Sequence, residues 1–133
     1  ETNVEGIFAC GNVLHVHDVV DWVSQESQIA GKNAAKYIKK EVNEDAKSLK
    51  TTNLEGVSYI VPQKVRLENV EKNLNLYFRV TDIYERAKVV VKSGGKELKK
   101  VTKRYMAPGE MESVKIDEKH FKDIKDEITI EVI

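Results

Sequence analysis

The spacing of apolar residues changes part-way along the chain, and this change constrains the fold more than any other sequence feature. Between about Val19 and Val42, apolar residues recur at steps of three and four, as at Ala30, Ala34 and Ile38. This spacing predicts an amphipathic helix. From about residue 54 onward apolar and polar residues alternate, and a period of two predicts half-buried strands.

The second half of the chain carries the signals of a small antiparallel β-sheet protein. Strands are predicted near residues 56–65, 74–80, 87–92, 114–116 and 128–132, and Pro62 restricts the first of them to a sheet edge or a bulge. Gly94 and Gly95 predict a hairpin turn. We therefore expect an α+β chain: a strand–loop–helix segment over residues 1–45, a linker over 46–53, and an immunoglobulin-like β-sandwich over 54–133.

Composition excludes several classes of function. Lys and Arg together number 22 and so do Asp and Glu, and this zero net charge argues against a nucleic-acid-binding protein. No apolar run reaches the roughly 18 residues of a membrane helix, so no membrane association is expected. Cys10 is the only cysteine, which rules out an intrachain disulfide or a Cys-rich zinc site and fits a cytoplasmic protein.

The first forty residues contain a longer pattern. The segment TNVEGIFACGN at residues 2–12 resembles the second flavin-binding motif of the FAD/NAD(P)-dependent pyridine nucleotide-disulfide oxidoreductases, T-x-x-x-G-[IVL]-[FY]-A-x-G-D. The segment AGKNAAKYI at residues 30–38 is similar to the Gly- and Ala-rich helix that follows the motif in that family. The resemblance implies a strand over residues 4–9, a loop and then the helix.

The resemblance also implies roles for individual residues. Gly11 would let the backbone approach FAD closely, and Asn12, which stands where the family has Asp, would hydrogen-bond a ribityl hydroxyl. Asp18, Val19 and Val20 would lie at a helix N-terminus near the flavin ring, where a positive dipole favours the reduced anionic flavin. No catalytic residue is identified.

The same resemblance implies that the chain is the C-terminal part of a longer flavoprotein. The family's G-x-G-x-x-G motif for the FAD pyrophosphate does not occur in it, and neither does an NAD(P) domain. The parent would pass hydride from NAD(P)H to FAD and on to an unknown acceptor, whereas this part alone would be inactive and would not hold FAD tightly. The alternative is a non-catalytic β-sandwich that serves as a binding or dimerisation module, and a homodimer is possible.

Three local features admit a chemical and a structural interpretation. His15, His17 and Asp18 offer metal-ligand chemistry, but three local ligands are few, so we expect a polar loop lining the flavin pocket and no metal site. Cys10 is expected to be an inert packing residue rather than a redox thiol. The basic run at residues 96–104 is expected to be a solvated strand edge rather than a surface for an anionic partner.

Overall fold

The structure is a computed structural model that describes Thr2 and residues 4–133. The chain divides into two compact units, Glu1–Asp45 and Ala46–Ile133. We call them the N-terminal unit and the β unit. Glu1 and Asn3, the latter part of the flavin-motif resemblance, lie outside the described residues.

The N-terminal unit contains one α-helix, α1 (Val20–Ile38). The predicted helix is confirmed, but the pattern extended it to Val42, whereas the helix ends at Ile38. Lys40 adopts the left-handed conformation, with φ of 58°, and its N–H donates to the carbonyl of Tyr37. A left-handed residue just after a helix turns the chain away from the helix axis, so the apolar spacing that reaches Val42 is not continued as helix.

The strand predicted for residues 4–9 is wrong. Residues 4–6 form a turn, and residues 7–10 belong to no sheet in the described part of the unit. The segment packs along α1 instead: the rings of Phe8 and Tyr37 meet edge-on at 6.1 Å, and a Cβ on Gly6 would stand 2.9 Å from the Tyr37 ring. A strand needs a neighbouring strand for its backbone hydrogen bonds, and the described residues of this unit supply none.

The β unit contains eight strands in two sheets. They are β1 (Ser48–Asn53), β2 (Val57–Val61), β3 (Lys64–Arg66), β4 (Asn73–Val80), β5 (Tyr84–Ser93), β6 (Lys96–Met106), β7 (Glu112–Asp117) and β8 (Glu127–Val132). One sheet has the order β3-β1-β8-β5-β6 and the other the order β2-β4-β7. Neighbouring strands are antiparallel except β1 and β8, which are parallel. The chain is therefore α+β with mostly antiparallel sheets.

Strand β1 occupies most of the segment predicted to be a linker, residues 46–53. Leu49 and Thr51 are buried and alternate with more exposed neighbours, so the segment does have a period of two. Leu49 is its only large apolar residue. The pattern was therefore too weak to distinguish a strand from a polar linker, although Thr has a high preference for strands.

Pro62 marks the point where the chain passes from one sheet to the other. The single strand predicted for residues 56–65 is divided into β2, in the three-stranded sheet, and β3, in the five-stranded sheet. Proline has no N–H to donate to a strand ladder, so it interrupts the pairing at this point.

One hydrophobic core unites the two sheets. On β4 the alternating face predicted from the sequence is confirmed, because Leu74, Leu76, Phe78 and Val80 are all buried. The other predicted inward faces are buried as well: Ala87, Val89, Val91, Val114, Ile116, Ile128, Ile130 and Val132. The predicted hairpin between β5 and β6 is also present, with positive φ at both Gly94 and Gly95.

Candidate functional site

The one buried residue of α1 is a glutamate. Helix α1 packs a stripe of half-buried side chains against the rest of its unit, and Trp22 and Ala30 lie on this stripe one turn before and after Glu26. Glu26 is more deeply buried than either neighbour. A carboxylate in such a position costs free energy unless several donors compensate it.

Three donors surround the Glu26 carboxylate. The backbone N–H of Gly11 donates to Oε2 at 2.6 Å. Nε2 of His15 lies 3.1 Å from Oε1, and Nε2 of His17 lies 2.9 Å from Oε2. The two imidazole rings are neighbours, with centroids 4.3 Å apart and planes inclined by 59°. We call His15, His17 and Glu26 the His–Glu cluster.

The His–Glu cluster is almost closed to solvent. The side chains of His15 and His17 are 3% and 2% exposed, and that of Glu26 is 11% exposed. An ionised carboxylate only accepts hydrogen bonds, so these two contacts require the tautomer in which Nε2 carries the proton. Nδ1 of His17 is buried and makes no hydrogen bond within the described residues.

A tight turn brings the two histidines to the helix. Gly11 has φ of +71°, a left-handed conformation that glycine adopts without steric cost, and it is the first residue of the 3-10 helix Gly11–Val13. The N–H of Leu14 closes the turn on the carbonyl of Gly11 at 2.9 Å. His15 and His17 are two residues apart, so in the non-helical segment after the turn they reach the same carboxylate.

The residues that the resemblance assigned to flavin lie around this turn. Gly11 is buried and donates to Glu26, whereas Asn12 is exposed and its Oδ1 accepts from the N–H of His17 at 3.4 Å. Val19 immediately precedes α1 and no side chain caps the helix there, and Val20 is the first helical residue. Both valines are exposed.

Asp18 does not join the two histidines, although the local sequence had grouped the three as possible metal ligands. It is exposed and is not a member of the cluster, whose third side chain is Glu26, nine residues beyond His17. A signal for Glu26 was present in the sequence. It is an acidic residue at the helical position between Trp22 and Ala30, on the face that should be apolar.

The remaining candidates take structural positions. Cys10 is half-buried and free, and it is not part of the His–Glu cluster. The basic run forms most of β6, an edge strand of the five-stranded sheet. Lys96 pairs with Asp123 at 2.8 Å and Lys103 with Glu112 at 2.7 Å. These ion pairs favour the solvated strand edge over a surface for an anionic partner.

Comparison with protein-family models, with curated proteins and with solved structures finds no match to this chain. Within the part of the chain that the structure describes, no helix combines the length and the apolar character that crossing a bilayer requires.

Proposed function

We propose that this chain is the C-terminal part of an FAD-dependent pyridine nucleotide oxidoreductase, and that its N-terminal unit supplies flavin contacts. The observation that carries the proposal is the conformation of Gly11. Its φ of +71° belongs to the left-handed region, and it stands at the second glycine of the G-I-F-A-C-G-N segment. The backbone here therefore requires the residue type that the motif specifies.

The residues around Gly11 fit a flavin nucleotide. Asn12 is exposed, so its amide NH2 is available to donate to a ribityl hydroxyl, while Oδ1 accepts from the N–H of His17 at 3.4 Å and retains a second lone pair. Helix α1 begins at Val20 with no side-chain cap, and the positive end of its dipole favours negative charge on a reduced flavin. When bound, FAD would accept hydride from NAD(P)H and pass electrons to an acceptor. The role of this chain is to bind and orient the flavin.

Exposed apolar side chains on the N-terminal unit agree with a piece of a larger α/β domain. Val13, Val16, Val20 and Ile38 are all more than half exposed. Three of them lie within residues 13–20, and exposed apolar side chains grouped in this way support a surface that packs against more protein. In the parent that protein is the remainder of the flavin domain, and for the chain alone a second copy would serve, which is the basis for proposing a homodimer.

The β unit supports a second role, as a binding or dimerisation module. It has its own hydrophobic core, drawn from both sheets, and that core is independent of any flavin site. Two sheets around a shared core also support our proposal that the unit is an immunoglobulin-like sandwich. Light scattering on the β unit and on the full chain would identify which of them self-associates.

The test of the flavin role uses the complete reading frame that contains this chain. We expect it to encode a G-x-G-x-x-G motif upstream and to yield a protein with bound FAD. Asn12→Ala should weaken FAD binding about three- to tenfold, the value of one hydrogen bond. Asn73→Ala, at an exposed position of β4, should leave it unchanged. A complete protein that binds no flavin would contradict the proposal.

A further inference from the structure

The His–Glu cluster has the composition of a transition-metal site. Two imidazole nitrogens and one carboxylate are a common protein ligand set for Zn²⁺ in open sites and for ferrous iron. The structure brings one ligand atom from each of His15, His17 and Glu26 to within 4.8 Å of the others. We propose that this cluster binds one divalent first-row transition-metal ion, for which Zn²⁺ is the probe, although the sequence alone predicted no metal site.

The distances from the two imidazoles to the carboxylate are close to those between the ligands of such an ion. Ligand atoms about 2.0–2.2 Å from a tetrahedral zinc ion stand roughly 3.3–3.6 Å from one another. The Nε2 atoms of His15 and His17 lie 3.1 and 2.9 Å from the oxygens of Glu26. The ion would take the place of the Nε2 protons, each of which would move to Nδ1 of its own ring. The ligand atoms, which lie within 4.8 Å of one another, would adjust to the spacing around the ion.

The surroundings of the cluster hold its ligands in place. Gly11 N–H donates to Oε2 of Glu26 at 2.6 Å, and a hydrogen bond to a ligating carboxylate is a typical outer contact that orients the ligand. Burial of both imidazoles limits competition from water. The Glu26 side chain keeps 11% exposure to solvent, and three protein ligands leave a coordination position for water or another small ligand.

This inference does not rest on the flavin proposal. All three ligands belong to the N-terminal unit, within residues 15–26, so the site is complete in this chain. The binding experiment therefore uses the flavin-free chain, and its outcome carries no information about FAD.

The test is a calorimetric titration of the chelator-treated full chain with Zn²⁺. We expect one ion per chain, and at least about 100-fold weaker binding in His17→Gln and in Glu26→Gln, because even outer-shell changes cost 10- to 100-fold. Two matched controls should bind as the wild type does. His120→Gln changes the histidine of the β unit, and Glu41→Gln changes an exposed carboxylate of the N-terminal unit.

A second measurement on the unaltered protein guards against variants that fail to fold. The chain has three histidines, so a ¹⁵N spectrum of the imidazoles should show Zn²⁺ shifting the Nε2 signals of His15 and His17 and leaving those of His120 in place. If the wild type does not bind Zn²⁺ stoichiometrically, the proposal is overturned, and the cluster only joins the turn to the helix by hydrogen bonds. Binding that survives Glu26→Gln unchanged, or that shifts only His120, would overturn it as well.

Discussion

Replacing Glu26 with glutamine tests whether the carboxylate organises the N-terminal unit when no metal is added. Glutamine has nearly the same shape, so no cavity is created. Its side chain has one acceptor oxygen in place of two, and its amide nitrogen can only donate. In the wild type, His15 uses Oε1, whereas Gly11 N–H and His17 share Oε2. In Glu26→Gln the amide nitrogen replaces one oxygen, so the donor that faces it loses its acceptor, or an imidazole that faces it must move its proton to the buried Nδ1.

The cost follows from that loss. A buried donor without an acceptor costs about 1–3 kcal/mol, and more when the lost partner is charged. We therefore expect Glu26→Gln to lower the free energy of unfolding of the N-terminal unit by about 2–3 kcal/mol. That is a large fraction of what a unit of this size can have, because small units bury little apolar surface.

Trp22 makes this effect measurable in the intact chain. It is the only tryptophan and lies one helical turn before Glu26, so its fluorescence during urea unfolding with a chelator present reports on the N-terminal unit. Glu41→Gln makes the same chemical change at an exposed position and should shift stability by less than about 0.5 kcal/mol. Coincident Trp22 transitions for the wild type and Glu26→Gln would refute the reasoning.

Three further predictions concern the β unit. Phe78→Ala, at a fully buried core position, should lower its unfolding free energy by about 3–5 kcal/mol, measured by circular dichroism during denaturation, with the Trp22 signal as an internal comparison. Gly56→Ala should lower the unfolding free energy by at least about 1–2 kcal/mol, because φ is +77° and the new Cβ would be 2.8 Å from a side-chain carbon. Gly109→Ala, whose Cβ would meet no atom within 4 Å, should leave the unfolding free energy unchanged in the same assay. The hydrogen bond and charge of Lys47 hold the pKa of Asp126 below its ordinary value. The stability that this pair contributes is therefore fully present above the ordinary pKa and is lost as the pH falls through the lowered pKa. Lys47→Gln should raise the pKa of Asp126 in an NMR titration, and an unchanged pKa would show that the pair does not form in solution.

The sequence predicted those parts of the fold in which one pattern dominates. On β4, apolar residues alternate without interruption from Leu74 to Val80, and all of them are buried. Gly94 and Gly95 predicted the hairpin because two consecutive positive φ angles favour glycine. In these places local preference and burial favour the same structure, so the sequence was sufficient to predict the element.

The sequence was less informative where an element depends on contacts from distant segments. Strand β1 pairs with β8, more than 70 residues away, and has only Leu49 as a large apolar residue. Residues 4–9 had the composition of a strand, yet no strand is assigned there, because pairing requires a neighbour that the described part of the unit does not provide. Neither outcome follows from local propensity.

The sequence indicated two of the three residues of the candidate site. His15 and His17 were recognised as possible ligands, and Asp18 was considered because it is adjacent. Distance along the chain was a poor guide, since the helix places Glu26 against both imidazoles and leaves Asp18 exposed. Here a carboxylate on the otherwise apolar stripe of a predicted helix indicated the partner of the histidines better than the acidic residue next to them did.

Energetics and geometry point to the same conclusion about this cluster. A buried group of charged and polar side chains stabilises a small unit poorly, because well-packed apolar side chains of similar volume in its place are often neutral or stabilising by about 1–4 kcal/mol. His15, His17 and Glu26 have buried side chains on or beside α1, where a small unit ordinarily places apolar residues. In a unit with so little other buried surface, stability alone is a weak reason for this choice of residues. Coordination of an ion is a sufficient reason, since metal binding contributes directly to the folding free energy of the segment that carries the ligands.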